Sequence, residues 1–148
     1  MAPDLHFTGF HHLTAVSARI ADNKRFYTQV LGLRLVKRSV NQDDVSAYHL
    51  FYADAVGSPG TDITFFDWAV PPERRGSHTI TRTGFRLASE ESLEYWAGRL
   101  KDLGVERGGI ETVDGRAQLR FEDPEGQRLA FVVEDAQGPE STPWDDSP

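Results

Sequence analysis

The first apolar pattern in the chain, over residues 7–16, alternates aromatic and β-branched residues with polar ones and predicts a strand. A helical period replaces it. Ile20, Phe26, Tyr27, Val30 and Leu31 fall on one stripe and predict a helix over 20–31. Ser17 or Asp22 is placed to cap its start, and Gly32, free to take positive φ, to end it. Three strand-like segments follow, at 33–40, 47–53 and 62–68. The polar turns Asn41-Gln42-Asp43-Asp44 and Gly57-Ser58-Pro59-Gly60 separate them.

The same order then recurs. Pro71-Pro72-Glu73-Arg74-Arg75-Gly76 reads as a linker, and 79–87 as a strand. Ser89 begins a partial capping box, with Ser92 where a Glu would complete it. Leu93, Trp96, Ala97, Leu100 and Leu103 make a second amphipathic helix, closed by Gly104. Strands are predicted at 110–113, 117–121 and 128–133, joined by Asp114-Gly115 and Asp123-Pro124-Glu125-Gly126. Both helices run into a Leu-Gly pair, at Leu31-Gly32 and Leu103-Gly104. The chain therefore predicts an α+β fold of two βαβββ modules, 6–68 and 78–134, each with a mostly antiparallel sheet. An acidic, proline-containing tail or linker follows over 135–148.

Composition narrows the function classes. A length of 148 residues fits one domain or two small fused units. The net charge of −7 argues against nucleic acid and against an anionic membrane surface as partners. With no cysteine, disulfide scaffolds, thiolate zinc sites and cysteine nucleophiles drop out. The start of the sequence lacks the basic and apolar stretches of a signal peptide, and no apolar run would span a bilayer. A cytoplasmic protein is the expectation.

The candidate chemistry starts at His11-His12. On a strand, neighbouring side chains face opposite ways, so one of the two faces a given cavity and the other does not. His49 follows Tyr48 on a predicted strand and reads either as a cavity-wall donor or as an ordinary strand-face histidine. Tyr52 can donate a hydrogen bond into a cleft. Trp68, Trp96, Phe65 and Phe66 read as core. Arg74-Arg75 reads as a solvated turn rather than an anion clamp, and Asp43-Asp44 as structural turn residues. No Ser-His-Asp order, phosphate-binding loop or dinucleotide fingerprint occurs.

Several runs carry a resemblance. Phe26-Tyr27-Thr28-Gln29-Val30-Leu31-Gly32-Leu33 and the turn Asp123-Pro124-Glu125-Gly126 resemble the vicinal oxygen chelate superfamily of glyoxalases, bleomycin-resistance proteins and extradiol dioxygenases. Gly9-Phe10-His11-His12-Leu13-Thr14, Val40-Asn41-Gln42-Asp43-Asp44, Tyr48-His49-Leu50-Phe51-Tyr52 and Thr64-Phe65-Phe66 resemble, more closely, the N-terminal half of ring-cleaving hydroquinone dioxygenases. The resemblance implies curved sheets forming a cleft, the glyoxalase/bleomycin resistance/dioxygenase fold. It implies Fe(II), or Mn(II), held by two histidines and a carboxylate, with open positions for a dihydroxylated aromatic and dioxygen. His12 matches the first-strand ligand. His11 matches a position beside the substrate, where it would act as acid/base or support the metal ligand from behind. His49 and Tyr52 would line the substrate.

The remaining ligands are not at the matching positions. Ala130 stands where the second module's carboxylate is expected, and Thr64 at the corresponding place in the first module. Thr81, Arg82 and Thr83 offer no histidine, and His78 reads as a linker residue. The resemblance thus implies half an enzyme, inactive alone and without a complete metal site of its own. A complementary C-terminal half, or a second copy in a homodimer, would complete it. The rival expectations are a metal-free small-molecule binding protein of bleomycin-resistance type, and a glyoxalase-like lyase that lacks its Glu ligands.

Overall fold

A computed structural model describes residues 6–7, 9–134 and 140–144. The described residues carry two copies of one topology, as the repeat predicts. In the first, β1 (His12–Ser17) is followed by α1 (Ile20–Arg25), a π-helical turn (Phe26–Val30), β2 (Arg34–Val40), β3 (Tyr48–Ala53) and β4 (Asp62–Asp67). In the second, β5 (Thr83–Leu87) is followed by α2 (Glu90–Asp102), β6 (Arg107–Val113), β7 (Arg116–Glu122) and β8 (Arg128–Val133). The sheets run β1-β4-β3-β2 and β5-β8-β7-β6. In each, the first and last strands pair parallel and the other two pairings are antiparallel. The fold is α+β, with two four-stranded mixed sheets.

The chain groups into two compact units. Among the described residues, one holds 6–7, 9–18, 27–68 and 140–144, the other 19–26 and 69–134. The unit boundary does not follow the repeat at α1, because that helix groups with the second sheet. Phe26 at its end packs on Phe121, 6.5 Å between ring centroids, and the Arg19 guanidinium donates to the Pro124 carbonyl.

In the first unit the core lies on one face of the sheet. Tyr27 stacks on Tyr52 at 5.3 Å and touches Phe65 at 4.7 Å, with Leu31, Leu50 and Ile63 around them. In the second, Leu93, Ala97 and Leu100 of α2 are buried with Leu119, Phe121, Leu129 and Phe131 of the sheet, and Trp96 lies 4.7 Å from Phe131. Each such side chain contributes about 1.5–3 kcal/mol by leaving water.

Several expectations change. The predicted helix over 20–31 is α-helical only to Arg25 and continues as a π turn. Its N-cap is Arg19, with no side-chain cap bond, so neither Ser17 nor Asp22 caps it; Asp22 instead pairs with Arg19 at 3.4 Å. Ser89 does cap α2, accepting from the Ser92 N–H at 3.1 Å. Gly32 and Gly104 close the two helical segments at φ of 71° and 70°, where a Cβ would be strained. Asp114 and Gly115 both take positive φ, as a type I′ hairpin requires. The strand expected from residue 7 begins at His12, and Phe7 and Phe10 are exposed. The strand expected over 79–87 begins at Thr83. Tail residues 140–144 are tied down: Ala55 N–H donates to the Thr142 carbonyl at 3.0 Å, and the Arg34 guanidinium lies 5.0 Å over the Trp144 ring. The rest of the tail, 135–139 and 145–148, lies outside the described residues.

Candidate active site

The first sheet's face opposite Tyr27 collects the candidate chemistry. Parallel pairing of β1 with β4 sets His12 beside Asp62 and Thr14 beside Thr64. Antiparallel pairing of β3 with β4 sets Phe51 beside Thr64 and His49 beside Phe66. Because side chains alternate along each strand, His12, Thr14, Asp62, Thr64, Phe66, His49 and Phe51 share one face.

Thr64 is the centre of this face. It is fully buried, and its hydroxyl lies 2.9 Å from both the Thr14 hydroxyl and His49 Nε2. One proton and two lone pairs let it serve both neighbours in either direction. Burial, with the positive charges of His12 and Lys37 nearby, holds the His49 imidazole below its usual value and favours the neutral ring. His49 is stacked at 3.9 Å on Phe66, which stacks at 5.1 Å on Trp68; Phe51 flanks it at 4.1 Å, and the Lys37 ammonium lies 5.1 Å over Phe51. This wall of π faces has the shape and chemistry to hold a planar ring. Phe66 and Trp68 are half-buried members of it rather than the core residues their composition predicts, whereas Phe65 is core.

His11 and His12 do not diverge as two strand neighbours would. His11 lies in a bend before β1, where its carbonyl accepts from the Gly60 N–H at 2.7 Å. The two rings meet edge to face, with Nδ1 atoms 3.1 Å apart. Beside them Asp62 is half-buried. Burial raises its carboxyl above the ordinary value against the pull of His11 and His12, with Asp54 adding to the rise. Its Oδ1 is buried and has no hydrogen-bond partner among the described residues. Asp62 carries no signal in the sequence; only the parallel register brings it to His12.

Tyr52 is corrected. It lies on the opposite face, fully buried against Tyr27, and burial pushes its phenol up. It builds the core and is not placed to donate into the face that holds His12 and His49.

The residues present do not by themselves fit an iron centre of two histidines and a carboxylate. Among the described residues no group of three His, Cys, Asp or Glu side chains converges to hold a metal. Thr64 and Ala130 occupy the central positions of β4 and β8, and neither is an ionisable ligand.

Two βαβββ copies with the helix between first and second strands define a glyoxalase-like fold. The sequence profile of the Glyoxalase/Bleomycin resistance protein/Dioxygenase superfamily matches residues 9–131, and the chain belongs to that superfamily. It is 44% identical over 128 residues to MhqA of Bacillus subtilis strain 168, named as a ring-cleaving dioxygenase, covering 86% of this chain and 40% of MhqA. It is 28% identical over 145 residues to a chlorohydroquinone/hydroquinone 1,2-dioxygenase of Sphingobium indicum, covering 93% of this chain and 43% of that protein. A crystal structure of a B. subtilis protein named as a dioxygenase matches with a TM-score of 0.80 and 36% identity, over 92% of this chain and 46% of that one. The chain spans less than half the length of these relatives. Among the described residues no helix is long and apolar enough to cross a membrane.

Proposed function

We propose that the chain is one half, the N-terminal one, of a ring-cleaving extradiol-type dioxygenase acting on dihydroxylated aromatics. In this reading His12 is one ligand of an Fe(II) or Mn(II) ion, and the other ligands come from a complementary half or from a second copy in a homodimer. His11, in contact with the His12 ring, moves a proton to or from a substrate hydroxyl. His49, held neutral by its surroundings and bonded to Thr64, accepts or donates a hydrogen bond at the ring's edge, while Phe51, Phe66 and Trp68 orient its plane. The observation that carries the reading is the sheet face itself. It joins the His11-His12 contact to a Thr14-Thr64-His49 hydrogen-bond chain and an aromatic wall, in a chain 44% identical to a relative named for ring cleavage.

A metal-free binding module is the second reading. It is favoured by the absence, among the described residues, of three converging metal donors, and it uses the same aromatic wall.

The test substitutes this chain for the matching stretch of MhqA. Oxygen uptake with hydroquinone that depends on Fe(II) is expected. His12→Ala should abolish it together with the bound metal. His11→Ala should lower the rate more than the metal content. A folded chimera with no uptake, or one indifferent to His12→Ala, would overturn the dioxygenase reading. Tight metal-free binding of hydroquinone by this chain alone would then establish the second.

A further inference from the structure

The second sheet carries its own polar face, and the dioxygenase reading does not use it. Register places Gly84 beside Ala130 and Arg120 beside Ala130, so Arg120, Ala130 and Gly84 form a row across β7, β8 and β5. Arg128 lies two residues before Ala130, on the same side by alternation; Arg82 lies just before β5, near enough to feel the charges of Arg120, Arg128, Glu111 and Glu122. The centre of the row thus has only a hydrogen and a methyl group, with guanidinium groups around it. Arg120 pairs with Glu111 at 2.8 Å and Arg128 with Glu122 at 3.8 Å, and Arg75 also donates to Glu122 at 2.9 Å. Among the described residues, these three guanidinium groups therefore share two carboxylates.

Arg82 is the one left over. Its Nη1 is buried and has no hydrogen-bond partner among the described residues. A buried donor without an acceptor weakens the fold, and more so when it belongs to a charged group. Burial and the neighbouring charges of Arg120 and Arg128 weaken its hold on its proton, and Glu111 and Glu122 only partly offset them. The side chains of Arg120 and Arg128 are about two-fifths exposed, so a solute can reach them. In a chain of net charge −7, this face concentrates uncompensated positive charge.

We propose that this face of the second sheet is a binding site for a small oxyanion, a carboxylate or phosphate group, which accepts from Arg82 and lies over the Gly84–Ala130 row between Arg120 and Arg128. The guanidinium fork matches two oxygens of such a group, and a charge-assisted pair is about twice as strong as a neutral one. The site lies within one compact unit and stands or falls apart from the role of His12.

The chain is titrated calorimetrically with inorganic phosphate and, separately, with benzoate, at ionic strength held constant with chloride. Saturable binding of one or both is expected. Phosphate alone would identify a tetrahedral group as the occupant, and benzoate a planar carboxylate. Arg82→Met keeps the stem and loses the fork, and should weaken binding at least about tenfold. Arg82→Lys keeps the charge and should recover part of the loss; it also carries the test if Arg82→Met does not fold. No saturable binding of either anion would overturn the proposal. So would binding unchanged in both variants, or binding that chloride displaces as well as phosphate does.

Discussion

Asp54 ties tail residue Thr142 to the first sheet, and its replacement by Asn should loosen that tie by a calculable amount. Asp54 is 8% exposed. Its Oδ1 accepts from the N–H groups of Val56 at 3.1 Å and Ser58 at 2.9 Å, and its Oδ2 from the Thr142 N–H at 2.8 Å. Burial alone would raise its carboxyl. The bonds from Ser58, Thr142 and Val56 outweigh burial and hold it at about 2, below the ordinary 3.8. A folded-state value below the unfolded one stabilises the fold above the ordinary value, and the effect is lost as pH falls from about 4 to about 2. The difference corresponds to roughly 2 kcal/mol at neutral pH. In Asp54→Asn the amide oxygen can still serve Val56 and Ser58, but its NH₂ then confronts the Thr142 N–H, donor against donor. Urea unfolding at pH 7 should show a loss of about 2 kcal/mol that shrinks toward pH 3. Amide exchange should quicken at Ala55, whose N–H is bonded to the Thr142 carbonyl. A loss under about 0.5 kcal/mol, typical of plain surface substitutions, would refute the reasoning. A loss equal at pH 7 and pH 3, or unchanged exchange at Ala55, would refute it too.

Two further outcomes follow from burial. Leu129→Ala empties a fully buried site between Phe121 and Phe131 and should cost about 2–5 kcal/mol in urea unfolding; a smaller loss would mean that the sheet closes over the gap. The His49 imidazole is held below its usual value, so a proton prefers the unfolded chain. Stability should therefore fall as pH drops below about 6.5, and His49→Gln should flatten that fall; an unchanged slope between pH 8 and pH 5 would place the titrating group elsewhere.

Local pattern and register differ in how far the sequence discloses them. The repeat, the Leu-Gly helix ends and the Ser89 cap are local signals, and the structure keeps all three. The core position of Tyr52 is local too: three residues separate it from His49, and a period of two puts them on opposite faces. The meeting of His11 and His12 is not local. Alternation holds only inside a strand, and His11 lies outside one because its carbonyl is bound to Gly60, far along the chain. The Thr14-Thr64-His49 chain needs the parallel pairing of β1 with β4, which fifty residues of intervening sequence do not announce. The π turn at Phe26–Val30 has no signature in the apolar stripe, since Phe26, Tyr27, Val30 and Leu31 would suit either helix.

One register, written twice, explains why the two sheets carry different chemistry. The parallel pair Thr14 and Thr64 in the first sheet corresponds to Gly84 and Ala130 in the second. The strand beside it presents Phe51 in the first and Arg120 in the second, and two residues before that row stand His12 and Asp62 against Arg82 and Arg128. The two sheets share strand order and pairing sense, so most of the difference lies in side chains. The first sheet places neutral hydrogen-bonding groups and π faces around a histidine pair, an arrangement suited to a flat, weakly charged ring. The second has guanidinium groups at the positions of His12, Phe51 and Asp62, with Val132 and Gln118 where the first has Phe66 and His49, and leaves the row itself bare. Selection for stability alone does not account for Arg82, because a buried unpartnered donor weakens the fold, and Met at that position would keep its packing without that cost. Arg82, the counterpart of His12 in the repeat, has an Nη1 without a partner among the described residues, and the oxyanion proposed for this face would supply one.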